Sequence, residues 1–357
     1  MSFELYVISK VLNGIVLPKA TDLTTALCKA ISVIFSGAAS LPVGLEGPMI
    51  FMGLSIGENS QKFLPNSKFV PNTVILKSNR YKRDFACIGA TCGVTSAFFT
   101  PIGGVLFAME EGSSFWSMLL AKRSFIAACV TVIFSYLFMY ALGKMPLINI
   151  VCKFHGYPGE QPRALPTFVP IDYIGFAIMG IIGGMVGSIW NELNRMLNMS
   201  RNKKLIKGRP ALKCLELLTI TALVSALMWY LPILYMQCTS IEALPSQYED
   251  FYRTFGCSEG EFNQLATLLL NPPSSIGINL LFWEHSNSFS AITCVIAGTV
   301  YLLTLLLLFG TSIGMGIFVP LLFVGASYGR ALALVCNFGN TDIDVTTYAM
   351  VGSVSFK

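Results

Sequence analysis

One carboxylate is hard to account for as ordinary structure. Glu46 sits in Gly44-Leu45-Glu46-Gly47-Pro48, within an apolar run from Ala38 to Gly57. An ionisable residue deep in membrane-like sequence is costly and is a functional candidate by default. The stretch Gly44–Gly57 (GLEGPMIFMGLSIG) lies without a gap over Gly316–Gly329 (GIFVPLLFVGASYG), both reading G-x-x-x-P-x-x-F-x-G-x-S-x-G. Small residues recur in membrane chains simply because they let helices approach, and this chain has 31 glycines. Here, however, Gly, Pro, Phe and Ser keep the same order and spacing. Each copy predicts a helix start with Pro48 or Pro320 at the first helical position, where the missing N–H costs no bond. Unpaired first-turn N–H groups and the positive end of the helix dipole make such a start an anion site. Two such starts in corresponding places of two halves form the pattern of a membrane binding site at a repeat interface. Neutral amides can hold a monovalent ion and still release it.

Glu46 is then an anion tethered at an anion site. Ionised, it occupies the site; protonated or displaced, it swings away, which couples anion occupancy to protonation. The plainer reading is an acid favoured by the helix dipole. Glu110-Glu111 closes a later apolar run, near Lys122 and Arg123. Such a pair is a solvated cap, or one end of a proton route toward Glu46.

The elements that must position these residues are membrane spans. Hydrophobic residues make up 54% of the 357 and charged residues only 12%, against roughly 25% charged in soluble domains. That composition predicts an all-α polytopic membrane protein. The net charge of +5 comes from basic loops that mark the cytosolic side, and no basic face with groove-reading elements points to nucleic acid. Expected cytosolic loops are about 58–84 and 195–213, the latter with seven basic residues and no acid. Expected spans are Phe125–Leu142, Ile171–Trp190, Leu215–Tyr235, Ala291–Phe309 and Ile317–Val335. Phe85–Met109, broken at Thr100-Pro101, is too short to cross twice and predicts two half-length helices in a re-entrant hairpin. A loop at about 236–288 carries six acids between Glu242 and Glu284 with one Arg (Arg253) and no Lys, and belongs on the opposite, lumenal face.

Ten cysteines form no CxxC pair, and His155 and His285 are the only histidines. No metal site or cofactor is expected. With no nucleophile–base pair and no HExxH, the chain does not read as an enzyme. Cys238 and Cys257, in polar surroundings on an oxidising face, are either a disulfide or two free thiols; spacing does not choose. No cleavable signal peptide is evident. Asn198-Met199-Ser200 is a formal glycosylation sequon, but its basic cytosolic context argues against use.

At these residues the chain resembles the CLC family of chloride channels and chloride/proton exchangers. GLEGP is similar to that family's gating-glutamate motif. Gly89–Glu111 (GATCGVTSAFFTPIGGVLFAMEE) resembles its G-A-x-x-G-V…P-I-G-G-V-L-F-x-x-E-E stretch, and GIFVPLLFVGASYGR resembles its G-x-F-x-P anion helix. Arg83-Asp84-Phe85, Glu111 to Trp116 and Phe262 to Leu268 are similar to the intracellular-organelle branch. The resemblance implies an inverted-repeat helical membrane domain with broken helices that dimerises when full length. It makes Glu46 the external gate and proton acceptor and Glu111 the inner proton-transfer glutamate. The backbone amides of Gly47, Ile317 and Phe318 would bind the anion, framed by Gly44, Pro48, Gly316 and Pro320.

The implied activity is transport of chloride, or a similar small monovalent anion, in exchange for protons across an endosomal, lysosomal or vacuolar membrane. The alternatives are a passive voltage-gated chloride channel and a non-transporting fragment or subunit. The family's G-S-G-I-P helix start, its last membrane helices and its cytosolic CBS pair are not in residues 1–357, so the expectation is a partial CLC-type transmembrane domain. Leu45 stands where the family usually has Lys or Arg, and Phe51 where it commonly has His.

Overall fold

A computed structural model describes residues 3–15, 17, 20–63, 78–143, 170–204, 209–241, 251–271, 276–282, 288–336 and 344–356. Both histidines, Cys152 and the acids Glu242, Glu249, Asp250 and Glu284 lie outside them. The chain divides into two compact units, 1–33 with 45–166 and 34–44 with 167–357.

In the first unit, α1 (Phe3–Leu12) and the first part of α2 (Leu23–Ala38) precede α3 (Glu46–Ser60), α4 (Asn79–Phe98), α5 (Pro101–Phe107) and α6 (Met118–Ala141). Between α5 and α6 lies a π-helical turn, Ala108–Gly112. The core is made by Val7, Val11 and Leu12 of α1, Ile50, Phe51 and Leu54 of α3, and Ala86, Ala90 and Val94 of α4. The break expected at Thr100-Pro101 is present: Phe99 has φ +55°, its N–H caps Thr95 O at 2.7 Å, and Thr100 is extended, as a residue before proline must be. The two pieces are unequal, however, with 20 and 7 residues. Polar Asn79–Asp84, assigned to a loop by its charge, continues the helix instead, because Lys and Arg are good helix formers.

The second unit contains α7 (Pro170–Lys204), α8 (Pro210–Leu234), strands β1 (Cys238–Ser240) and β2 (Glu261–Asn263), short helices α9 (Gln264–Leu270) and α10 (Ile278–Leu281), then α11 (Ala291–Leu308), α12 (Phe318–Cys336) and α13 (Val345–Ser355). The basic stretch 195–213 is corrected in the same way. Helix α7 runs through it to Lys204, and α8 begins at Pro210. In the region 236–288, β1 and β2 pair antiparallel with Cys238 opposite Asn263, and a disulfide joins Cys238 to Cys257 with Cα atoms 5.8 Å apart. Asn263 caps α9 through Ala266 N–H and donates to Pro232 O at 3.1 Å.

Among the described residues, five helices are long and apolar enough to cross a membrane: α6, most of α7 and α8, α11 and α12. Only 11–17% of the apolar window is buried in α6, α7 and α8, against 50% in α11 and 61% in α12. Helices of this length that are apolar on every side suit a membrane span. Helices α11 and α12 build the second unit's core, with the rings of Tyr301 and Phe323 tilted at 40° and 4.3 Å apart between centres.

Candidate functional site

Both motif copies begin a helix, with a shared geometry. Leu45 is the N-cap of α3, Glu46 its first residue, and the ladder opens with Met49 N–H donating to Leu45 O at 3.2 Å. In α12, Phe318 is the first residue and the ladder opens with Leu321 N–H donating to Ile317 O at 3.0 Å. Pro48 and Pro320 are therefore at the third helical position, not the first. The physical point survives the shift, since the first four N–H groups of a helix have no intrahelical acceptor. A proline three residues in guarantees that the ladder starts after it. The backbone N–H groups of Glu46 and Gly47, and of Ile317 and Phe318, all lie upstream of the ladder.

Glu46 is 4% exposed, and its place in the first turn of α3 puts its carboxylate at the positive end of the helix dipole. Ile317 and Phe318 are half-buried. Within the second unit, Gly44 and Gly316 pair reciprocally, N–H to O at 2.8 and 2.6 Å. Ser36 Oγ donates to Gly314 O at 3.4 Å. The residue before the N-cap of one motif copy is thus fixed to its counterpart in the other. Glu111 lies in the π turn, whose Ser113 N–H reaches back to Ala108 O at 3.1 Å; such turns recur at functional sites. Gly112 of that turn packs on Leu12, and Glu110 is exposed.

Motif similarity continues further than the spacing of the first helices reveals. In the first unit a Cβ on Gly53 would overlap Gly89 O, and one on Gly57 would overlap Phe85 O. In the second, a Cβ on Gly325 would overlap Gly352 O, and one on Gly329 would overlap Tyr348 O. The same two contacts recur, so each repeat is a two-helix unit, α3 with α4 and α12 with α13. Sequence reasoning expected a helix ahead of Thr100-Pro101 but not α13, and missed that the second helices belong to the repeat. The available signal was Phe85-Ala-Cys-Ile-Gly89 against Tyr348-Ala-Met-Val-Gly352, too short to stand out alone. Phe51, Ser55, Phe323 and Ser327, the motif's other matched side chains, are all fully buried.

A family model described as voltage gated chloride channel matches residues 7–357. Chloride channel protein C of Dictyostelium discoideum is 31% identical over 354 residues, which cover 97% of this chain and 46% of that protein. H(+)/Cl(-) exchange transporter 7 of Mus musculus is 29% identical over 357 residues, covering 96% and 43%. The chain therefore spans less than half the length of these relatives. Among solved structures, a eukaryotic CLC transporter matches with a TM-score of 0.67 at 19% identity, over 99% of this chain and 51% of that one. A slow cyanobacterial Cl-/H+ antiporter matches at 0.56 and 18%, over 99% and 68%. At these identities the structural likeness speaks for the fold, a mostly helical membrane domain.

Proposed function

Because the chain belongs to the voltage-gated chloride channel family, the CLC proteins, and is an integral multi-pass membrane protein, we propose that it moves chloride or a similar small monovalent anion in exchange for protons. Glu46 is the gate and proton acceptor. Glu111 passes protons from the cytosolic side, and the backbone amides of Gly47, Ile317 and Phe318 hold the anion. The observation that carries this reading is a buried carboxylate one residue into one of two helix starts built to the same plan. An acid at both Glu46 and Glu111 is what favours exchange over passive conduction. Resemblance to the intracellular branch supports an endosomal, lysosomal or vacuolar membrane as the site of action and a homodimer as the working form, each subunit carrying its own pathway.

The chemistry follows from charge. An ionised Glu46 and a bound chloride compete for one set of N–H donors; protonation removes the competitor and carries a proton with it. Vesicles loaded with chloride and a pH dye test this. An imposed chloride gradient is expected to drive protons uphill. Glu46→Gln is expected to leave anion flux running while proton movement falls to background, and Glu111→Ala to abolish proton movement while chloride still flows. Downhill chloride flux with no proton movement in the unaltered protein would make it a passive channel.

A further inference from the structure

The chain reaches the start of α12 through residues 309–317, and that segment is held at both ends. Its far end is the Gly44–Gly316 pair. Its near end is Arg201, in the last turn of α7, whose Nη1 donates to Phe309 O at 2.8 Å and whose Nη2 donates to Leu307 O at 2.6 Å. The remaining face of the guanidinium meets Glu216 of α8, Nε to Oε1 at 2.9 Å, with the two side chains only 10% and 13% exposed. We infer that Arg201, oriented by Glu216, is a positioning residue for the anion-binding start of α12. The inference rests on the transport reading above for the purpose of that start, but its geometry stands apart from it.

The last carbonyls of a helix need partners from outside it. In α11, Leu305 O takes Phe309 N–H, and Leu308 O takes Thr311 N–H and Oγ1 at 3.1 and 2.7 Å. Leu307 O and Phe309 O fall to Arg201. A planar fork suits this role, because two donors fixed in one plane set the direction as well as the distance of the carbonyls they hold. A cation is also favoured at a helix C-terminus. Glu216 keeps the fork from rotating, which makes the guanidinium a joint among α7, α8 and α11. Helix α7 touches the segment a second time: Gly310, at φ +90°, lies where a Cβ would overlap the Asn198 side chain, itself bonded to Asn194 at 2.9 Å. Six residues separate Gly310 from Ile317. A strip that short has few torsions in which to absorb a slip at Arg201 before it reaches Ile317 and Phe318.

Hydrogen exchange on the purified full chain and halide flux in vesicles test this together. In Arg201→Gln, amides 310–318 are expected to exchange on the order of tenfold faster or more. Apparent chloride affinity should weaken by a similar factor while maximal flux is kept. Arg201→Lys, which keeps the charge but not the fork, should recover part of both. Arg195→Gln removes an exposed pair with Glu192 on the same helix and should change neither. Glu216→Gln, nearly isosteric, reads the same quantities if Arg201→Gln does not fold. Unchanged exchange at 310–318 in a folded variant overturns the inference, and so does faster exchange with unaltered chloride affinity. If the unaltered protein moves no halide, it is the transport reading that fails. Exchange together with calorimetric chloride binding then still decides whether Arg201 positions the segment.

Discussion

Helices α3 and α4 of the first unit and α12 and α13 of the second present the same packing problem and solve it with different chemistry on top. In each pair the motif's last two glycines lie against the partner's backbone, Gly53 and Gly57 on Gly89 and Phe85, Gly325 and Gly329 on Gly352 and Tyr348. Each leading helix starts at the third motif residue and carries proline two residues later. At that third residue the copies part: Glu46 in one, Phe318 in the other. A second difference follows in the partner helices. Gly93 continues the close approach against Met49 O in the first pair, whereas the corresponding position in the second is Phe356, past the end of α13. The frame that aims N–H groups is duplicated. The titratable group is not, so in the proposed function the proton chemistry falls to one copy only.

The severest way to break this comparison is to fill the shared contact. Gly89→Val and Gly352→Val each set a side chain onto a carbonyl of the facing helix, where backbone on both sides leaves little room to relax. Each should cost more than about 4 kcal/mol, seen as loss of the folded fraction in detergent melts. Serious damage from only one of the two would mean that the glycine contacts are not equivalent.

A sharper probe writes the first copy's chemistry into the second. Phe318→Glu places a fixed carboxylate at the start of α12. Two like charges about 4 Å apart at an effective dielectric of 20 repel by about 4 kcal/mol, roughly a thousandfold in anion occupancy. Vesicle flux should fall accordingly near neutral pH and recover as acid protonates the new group. Unaltered flux would show that this helix start holds no anion.

The mildest probe changes what draws anions to the first copy alone. Leu45→Arg adds a cation at the N-cap of α3. It is expected to strengthen apparent chloride affinity by about 1 kcal/mol at low salt, fading as ionic strength rises. Raising the salt from 0.01 to 0.3 M while recording flux checks it, and a salt-independent gain would point to a shape effect instead of charge.

Much of this was legible in the residues. Apolar runs fixed five spans to within a few positions at most of their ends, because hydrocarbon thickness demands a stretch of known length and every spanning backbone must be helical. Charge was a poorer guide to where helices end. Lys203 and Lys204 lie inside α7, since a basic residue marks a side of the membrane without interrupting a ladder. Arg201 illustrates a different blindness. In sequence it is one of seven basic residues between Arg195 and Lys213, and charge counting cannot tell which of them turns inward to carbonyls a hundred residues away. The one signal was Glu216, the first acid after that basic run.

The sequence by itself determined that the chain crosses a membrane, that two helix starts share one design, and that a single carboxylate sits at one of them. These are local facts, carried by hydropathy over one span and by Gly and Pro at fixed offsets in one turn. The tertiary structure alone decided which glycines meet, that Gly44 and Gly316 exchange hydrogen bonds across 272 positions of chain, that Cys238 joins Cys257, and that Arg201 holds the approach to α12. Such pairings depend on where separate helices come to rest, and spacing along a chain does not fix the distance between its distant parts.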